Sequence, residues 1–501
     1  MNQAFFEKKS CEKNSIYLCS IIIIVSIQAY QSFIPKKEKR MTINYLKQFF
    51  FILLFIFFAE NVLCSYSPTR SFRNVSSFQP VGSGARAIGL SAFIGVVDDG
   101  TATSWNPAGL SNLKKKEFTL VAELNHYIEK SNFTKNPEAT NIDRSWGNNL
   151  NYSCFAYPFK SFETNMAIAI SYQRLYDLNR EWNFFFHDKG TNEDYIKKIS
   201  YDQSGDLSAI GLSYSIDLSY KLAIGFTFNI WENTISNNSW EIITHEITSG
   251  FSEDIFLSGR IDEIESYEFS GYNLNLGFLW HVANYLTIGG VIKTPFKADI
   301  TYKSEEFESS SQVISDDLLP VIIEETRIIP EIDEHMHMPI SYGLGCLYKL
   351  TYDNSFYLAA DIYRTHWDKF VYTNFLGDEK SPISGKQIEH SDIDPTIQVR
   401  LGIEYFHLLD TNVIRFRGGT FYDPVPAEGS PDDYFGFSFG TGFVKKNSNA
   451  QSTFYDDLYS LDIAYQYRFG KDSGKSLMKS RGFSQKKEEH KIYLSLIFYG
   501  F

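Results

Sequence analysis

From residue 117 to the end of the chain, apolar side chains alternate with polar or small ones, segment after segment. Residues 221–231 show it most clearly. Leu222, Ile224, Phe226, Phe228 and Ile230 share one parity, and Lys221, Ala223, Gly225, Thr227 and Asn229 share the other. Residues 165–173 and 459–469 repeat the pattern. A period of two belongs to a strand, whose successive side chains point to opposite faces. The alternation predicts strands over 117–129, 149–158, 163–177, 204–216, 218–231, 266–281, 283–302, 337–350, 354–369, 396–408, 411–422, 432–443, 456–469 and 490–501, fourteen in all.

Short connections at 217–218 and 281–283 alternate with long ones at 178–203, 232–265, 303–336, 370–395 and 470–489. Short turns at one end and long loops at the other are the layout of an outer-membrane barrel. Inside lipid every backbone N–H and C=O must be paired within the protein, so only helices and closed barrels cross. Closure also removes exposed sheet edges. A soluble sandwich or propeller alternates as well, but the strands here are long, and an export signal stands before them. Composition agrees. The chain is 43% hydrophobic and 16% aromatic, too apolar for disorder. It carries 47 basic and 60 acidic residues, a net charge of −13, which disfavours nucleic acid as a partner.

Met41 opens a stretch with Lys47, an apolar FFFILLFIFF core and Val62 and Cys64 at positions suited to signal-peptidase cleavage. Residues 41–64 are therefore expected to be a signal peptide, and 1–40 an upstream extension outside the native protein. The mature chain then holds Cys154 and Cys346, far apart and in strand-like runs, with no disulfide expected. The final strand ends on Tyr499 and Phe501, an alternating aromatic terminus of the kind that directs barrel assembly.

Residues 65–114 break the strand theme. They hold GSGARAIGL from Gly82, then Val96-Val97-Asp98-Asp99, then Trp105-Asn106-Pro107-Ala108-Gly109-Leu110. Asn106 before Pro107 reads as a helix cap followed by proline at the first helical position. A compact element rich in small residues before a barrel suggests a plug in its lumen, leaving 115–501 as the barrel.

The stretch GARAIGLSAFIGVVDDGTATSWNPAGL resembles the hatch of the long-chain fatty acid outer-membrane transporters, the FadL/TodX type, which also take up aromatic hydrocarbons. The matching positions include Gly84, Arg86, Gly89, Asp98, Asp99, Asn106, Pro107, Ala108 and Gly109. Arg417-Gly418-Gly419-Thr420-Phe421-Tyr422-Asp423 resembles a late strand and loop of that family. The resemblance implies a fourteen-stranded barrel with an N-terminal hatch. It also implies passive uptake of hydrophobic small molecules through a hatch-gated lumen in the bacterial outer membrane. Related patterns occur in exported barrels of a secretion system, so a shuttle, a surface-protein partner or a structural barrel stands as the alternative. The family opens sideways at a kinked third strand. Residues 163–177 hold no Gly or Pro to make such a kink, so lateral exit is not expected from these residues.

Ligand contacts are expected at Trp182, Phe184, Phe185 and Phe186 in an outer loop, and at Arg400, Arg415 and Arg417 in the lumen. A tight turn near Leu409-Asp410 would set Glu404 beside Arg415 and leave Arg400 and Arg417 as freer cations. Compensated lumen charges are the competing reading. The ten acidic residues of 303–336 read as a solvated outer loop, and His335 and His337 lack enough companions for zinc. No GxSxG sits on a strand-to-helix turn, so no enzyme and no cofactor is expected. The expected partners are a hydrophobic ligand, outer-membrane lipid and lipopolysaccharide, and the barrel assembly machinery, with the protein itself a monomer.

Overall fold

The computed structural model describes residues 79–80 and 83–500, apart from 253–254, 314–320, 351–354, 410–411, 447–456 and 476–477. The expected signal peptide, the upstream extension and Phe501 lie outside the described residues.

Fourteen antiparallel strands form one closed wall. They are β1 (Glu117–Phe133), β2 (Asn141–Ser161), β3 (Thr164–Asp177), β4 (Glu193–Ser219), β5 (Leu222–Trp231), β6 (Ile255–Ala283) and β7 (Leu286–Lys293). Then follow β8 (Ser341–Lys349), β9 (Phe356–Thr365), β10 (Thr396–Leu408), β11 (Asn412–Tyr422), β12 (Tyr434–Lys446), β13 (Asp457–Ser473) and β14 (Phe483–Tyr499). Each pairs with its successor, and β14 returns to β1 from Glu117↔Tyr499 to Phe133↔Phe483. Closure leaves this ring without a free edge strand at its narrow end. The turns there are tight. Phe162 and Glu163, both at positive φ (49° and 62°), form the β2–β3 hairpin.

The wall is apolar outside and polar or small inside. Ile168, Ile170, Leu276, Leu344, Leu401, Ile463 and Leu494 are exposed, while Asn229, Asn275, Glu404, Ser438 and Asp462 are buried. A soluble fold would have these reversed.

Each of the fourteen expected segments contains a wall strand, but 337–350 breaks at Pro339-Ile340, 354–369 ends in the 3-10 turn Trp367–Lys369, and 283–302 is divided. The expected strand 283–302 stops at Thr294-Pro295, where proline can donate no ladder bond. β7 stays in the wall, and Phe296–Val313 pairs instead with the outer half of β6. The loops expected at 178–203, 232–265 and 303–336 are a correction. They are largely strand: Arg180–Lys189, Ser239–Ser252, Phe296–Val313 and Val321–Met338, together with the outer halves of β4 and β6. These build an outer sheet in the order Arg180–Lys189, β4, Ser239–Ser252, β6, Phe296–Val313, Val321–Met338. Charged residues on both faces hid the alternation there.

The segment read as a hatch holds helix α1 (Ala85–Leu90), helix α2 (Ala102–Trp105) and a 3-10 turn, Pro107–Asn112. Every residue from Ser83 to Ser111 except Asp98 is buried.

Candidate functional site

The inner segment meets the wall where the wall has no side chains. Gly225 pairs across strands with Gly277, Gly289 with Gly345, Gly402 with Gly419, and Gly440 with Ala464. A Cβ on Gly225 would lie 2.6 Å from the Pro107 carbonyl, and one on Gly289 2.5 Å from the Ile94 oxygen. One on Gly419 would lie 2.5 Å from the Leu90 oxygen, and one on Gly440 would lie 3.2 Å from the Gly89 Cα. At Gly225, Gly289 and Gly419 such contacts are far inside van der Waals distance, so these wall positions admit only hydrogen. Because the paired positions come from β5 through β13, the inner segment fills the lumen at this level.

Polar groups then fix it. The Asp361 carboxylate accepts from the Phe93 and Ile94 amides at 2.6 and 3.0 Å. The Ser495 hydroxyl accepts from the Ala85 amide at 2.6 Å, and the Ser438 hydroxyl donates to the Gly89 carbonyl at 3.0 Å. Glu117 accepts from the Gly100 amide at 2.8 Å. Asn106 acts as the expected cap, accepting from the Ala108 amide at 3.2 Å. Its amide also donates to the carbonyls of Ile94 (2.8 Å) and Phe278 (3.0 Å). Asp99 accepts from the Thr101 amide at 2.8 Å, and burial holds its carboxyl above the usual range.

Arg86 carries the strongest tie. It grips Glu404 through both nitrogens of its fork, at 3.2 and 3.1 Å, and also meets Asp98. Glu404 in turn accepts from Arg417 at 2.7 Å, and Arg417 reaches Asp462 at 2.6 Å. Arg86, Glu404, Arg417 and Asp462 are all buried. Here the expected charge pairing is corrected. Glu404 stands opposite Arg417, and Arg415 stands opposite Phe406, because Leu409 pairs with Asn412, which shifts the register from the expected one. Arg417 is thus no free cation. Nor is Arg400, which lies 3.6 Å from Asp423 and sits over the rings of Phe93 and Phe421.

Outside the inner segment the lumen is filled by a second core. Trp182, Phe184 and Phe186 are buried in it with Phe133, Tyr201, Trp231, Trp240 and Phe269. The outer loop expected at 180–187 is instead a strand. Its alternate residues Trp182, Phe184 and Phe186 point into this core, and Phe185 points out, 40% exposed.

One stretch of wall is unzipped. β2 and β3 pair from Ser161↔Thr164 to Tyr152↔Gln173 and no further. Outward of that point β2 pairs only with β1, and β3 with β4. The expectation that 163–177 lacks a distortion is corrected by a register shift between Arg174 and Tyr176, made without Gly or Pro. Buried Arg174 provides the physical reason, bonding Asp177 at 3.0 Å and Asp206 at 2.5 Å across the shift. Gln79 and Pro80 pair with Asp177 and Tyr176, on the edge of β3 that β2 leaves. A cavity opens at this seam, lined by Tyr127, Glu129, Arg144, Asp177, Arg180 and Lys487 among others. Its walls are charged rather than greasy.

These features define a fourteen-stranded antiparallel barrel with an apolar outer face, a filled lumen and one lateral seam. The family model described as BamG matches residues 87–450, and the chain belongs to the BamG family. No curated protein matches it. Among solved structures it is similar to a Pseudomonas aeruginosa FadL homologue, at 13% identity and TM-score 0.49, covering 84% of this chain and 99% of that one. It is also similar to the Pseudomonas putida toluene transporter TodX, at 12% and 0.46, covering 85% and 100%. The Ralstonia pickettii toluene transporter TbuX matches at 12% and 0.44, covering 85% and 100%.

Proposed function

We propose that this chain is an outer-membrane barrel that works as a fixed, sealed subunit of the barrel assembly machinery. The observation that carries the reading is the filled lumen. The inner segment is matched to wall glycines and bound by a buried ion network, and a packed aromatic core closes the space beyond it. A barrel built this way offers its outer surface and rim to partners. The family name points to the same machinery, and the outward apolar band suits a bilayer. In this reading residues 65–114 are a permanent plug.

The second reading is passive uptake of hydrophobic small molecules such as fatty acids or aromatic hydrocarbons, and the seam favours it. Its sideways opening would release an apolar solute into the membrane, where burying an acyl chain gains roughly 25 cal/mol per Å². The charged lining of the cavity suits a head group better than a chain.

Depleting the protein in cells separates the two. The assembly reading expects the heat-modifiable, folded fraction of other outer-membrane barrels to fall, with uptake of labelled oleate and toluene unchanged. Loss of uptake with folded barrels at normal levels would transfer the function to the second reading.

A further inference from the structure

We infer that the outward face of β13, β14, β1 and β2 carries a binding site for the phosphorylated headgroup of an outer-leaflet glycolipid. The inference rests on the outer-membrane placement proposed above. The outward residues of these strands form horizontal rows. Phe118, Phe155 and Phe498 make one row near the narrow end. His126, Trp146, His490 and Tyr467 make another, eight residues along β1, or about 20 Å at the usual rise and tilt. Leu120, Leu124, Leu494, Leu496, Ile463 and Ile492 lie between them. That second row is a joined aromatic surface. Trp146 is 77% exposed and stacks on His126 at 3.8 Å, and the Tyr465 hydroxyl meets His490 at 2.8 Å. Aromatic rows of this kind lie at the lipid–water boundary.

Cations stand immediately beyond it. Lys130 and Lys486 are direct cross-strand neighbours, and Arg144 stands opposite Ile128 one row nearer the aromatics. Lys471 is exposed at the adjoining end of β13. Against these four, the described outward side chains at the outer ends of these strands include one acid, Glu488, which pairs with Lys486. This is the reverse of the chain as a whole, with its net charge of −13. Two lysines opposite each other repel. An anion between them removes that repulsion, and an arginine fork beside them suits phosphate oxygens. At this depth, with an aromatic shelf below for acyl chains and sugar rings, the anion is a lipid phosphate.

The test uses the full mature chain in detergent micelles, titrated with lipid A bearing two phosphates, with dephosphorylated lipid A, and with inorganic phosphate. Saturable binding of the two-phosphate lipid is expected. It should weaken by about tenfold or more in the Lys130→Gln, Arg144→Gln, Lys486→Gln triple variant. Lys221→Gln, at the narrow end, should bind as the parent does. All variants are exposed, and heat-modifiability checks that each is folded. Equal binding of the dephosphorylated lipid, unchanged binding by the triple variant, or full competition by millimolar inorganic phosphate would each overturn the site. Fractionation of the wild-type protein away from the outer membrane would sink the placement instead, whatever the micelle titration shows.

Discussion

A single methyl group is enough to test the fit between wall and plug. Gly402 and Gly418 lie on neighbouring strands, but Gly402 faces inward and Gly418 outward. A Cβ on Gly402 would fall on the Leu90 carbonyl oxygen, whereas one on Gly418 meets nothing nearer than 3.8 Å. Gly402→Ala should therefore destabilise by about 1–3 kcal/mol, the usual range for overpacking. Gly418→Ala should stay within about 0.5 kcal/mol of the parent. The temperature at which the folded band is lost on unheated gels reads both. Asp99 gives the second test at this scale. Its folded carboxyl titrates above the unfolded value of about 3.9, so its contribution is fully present below that pH and is lost as pH rises through the folded value. Asp99→Asn keeps an acceptor for the Thr101 amide, and should raise thermal resistance at pH 7 and leave it unchanged at pH 3. Equal gains at both would assign the effect to something other than ionisation. These residues were legible in part. Small residues at Gly84, Gly89 and Gly109 and the Asn106-Pro107 cap announce a compact non-strand element in the bare sequence. Nothing local in Gly402 or Gly289 says that it faces a plug, since glycine in a strand also marks bulges and bends.

At the scale of elements, the ion network shows how register decides chemistry. Arg86 and Glu404 are 318 positions apart, and no periodicity links them. The alternation did place Glu404, Arg415 and Arg417 on one inward parity, and that was correct. Which arginine meets the carboxylate depends on where the β10–β11 connection is centred, and an error of one residue there exchanges Arg415 for Arg417. The same limit applies to the outer sheet. Its strands carry acids and lysines on both faces, so the period of two is weak, and strand pairing rather than composition reveals them. The network makes its own prediction. Glu404→Ala would leave two buried guanidinium groups facing each other without their shared carboxylate. Breaking a buried pair in this way costs about 3–5 kcal/mol. Because the β10–β11 ladder does not depend on that side chain, the barrel should still fold. The inner segment should become open to added protease, with cleavage between residues 83 and 113. A plug that stays protected in Glu404→Ala would show that the glycine contacts alone hold it.

For the whole molecule the open question is whether the plug ever moves, and the chain carries half of the tool to answer it. Cys154 on β2 is a free, buried thiol. A Cβ built on Gly100 would lie 3.7 Å from the Cys154 Cβ, with the Thr119 hydroxyl at 2.9 Å as the one tight neighbour. Paired cysteines have Cβ atoms about 3.5–4.5 Å apart, so Gly100→Cys should close a disulfide between plug and wall once Thr119 turns aside. Thr119→Ala in the same chain removes that hydroxyl if closure is poor. Mass spectrometry of the oxidised protein would show the Gly100→Cys site joined to Cys154. A sealed subunit loses nothing by being locked, because its plug is already held on many sides of the ring. Cells carrying only the locked form should then assemble other outer-membrane barrels at the parental level, with or without reductant. A transporter gated by its plug would behave differently. Uptake of oleate or toluene would fall when the bond closes and recover when dithiothreitol opens it. That reversible loss would contradict the fixed-plug reading and make plug movement, with the seam between β2 and β3 as the exit, the working part of the protein.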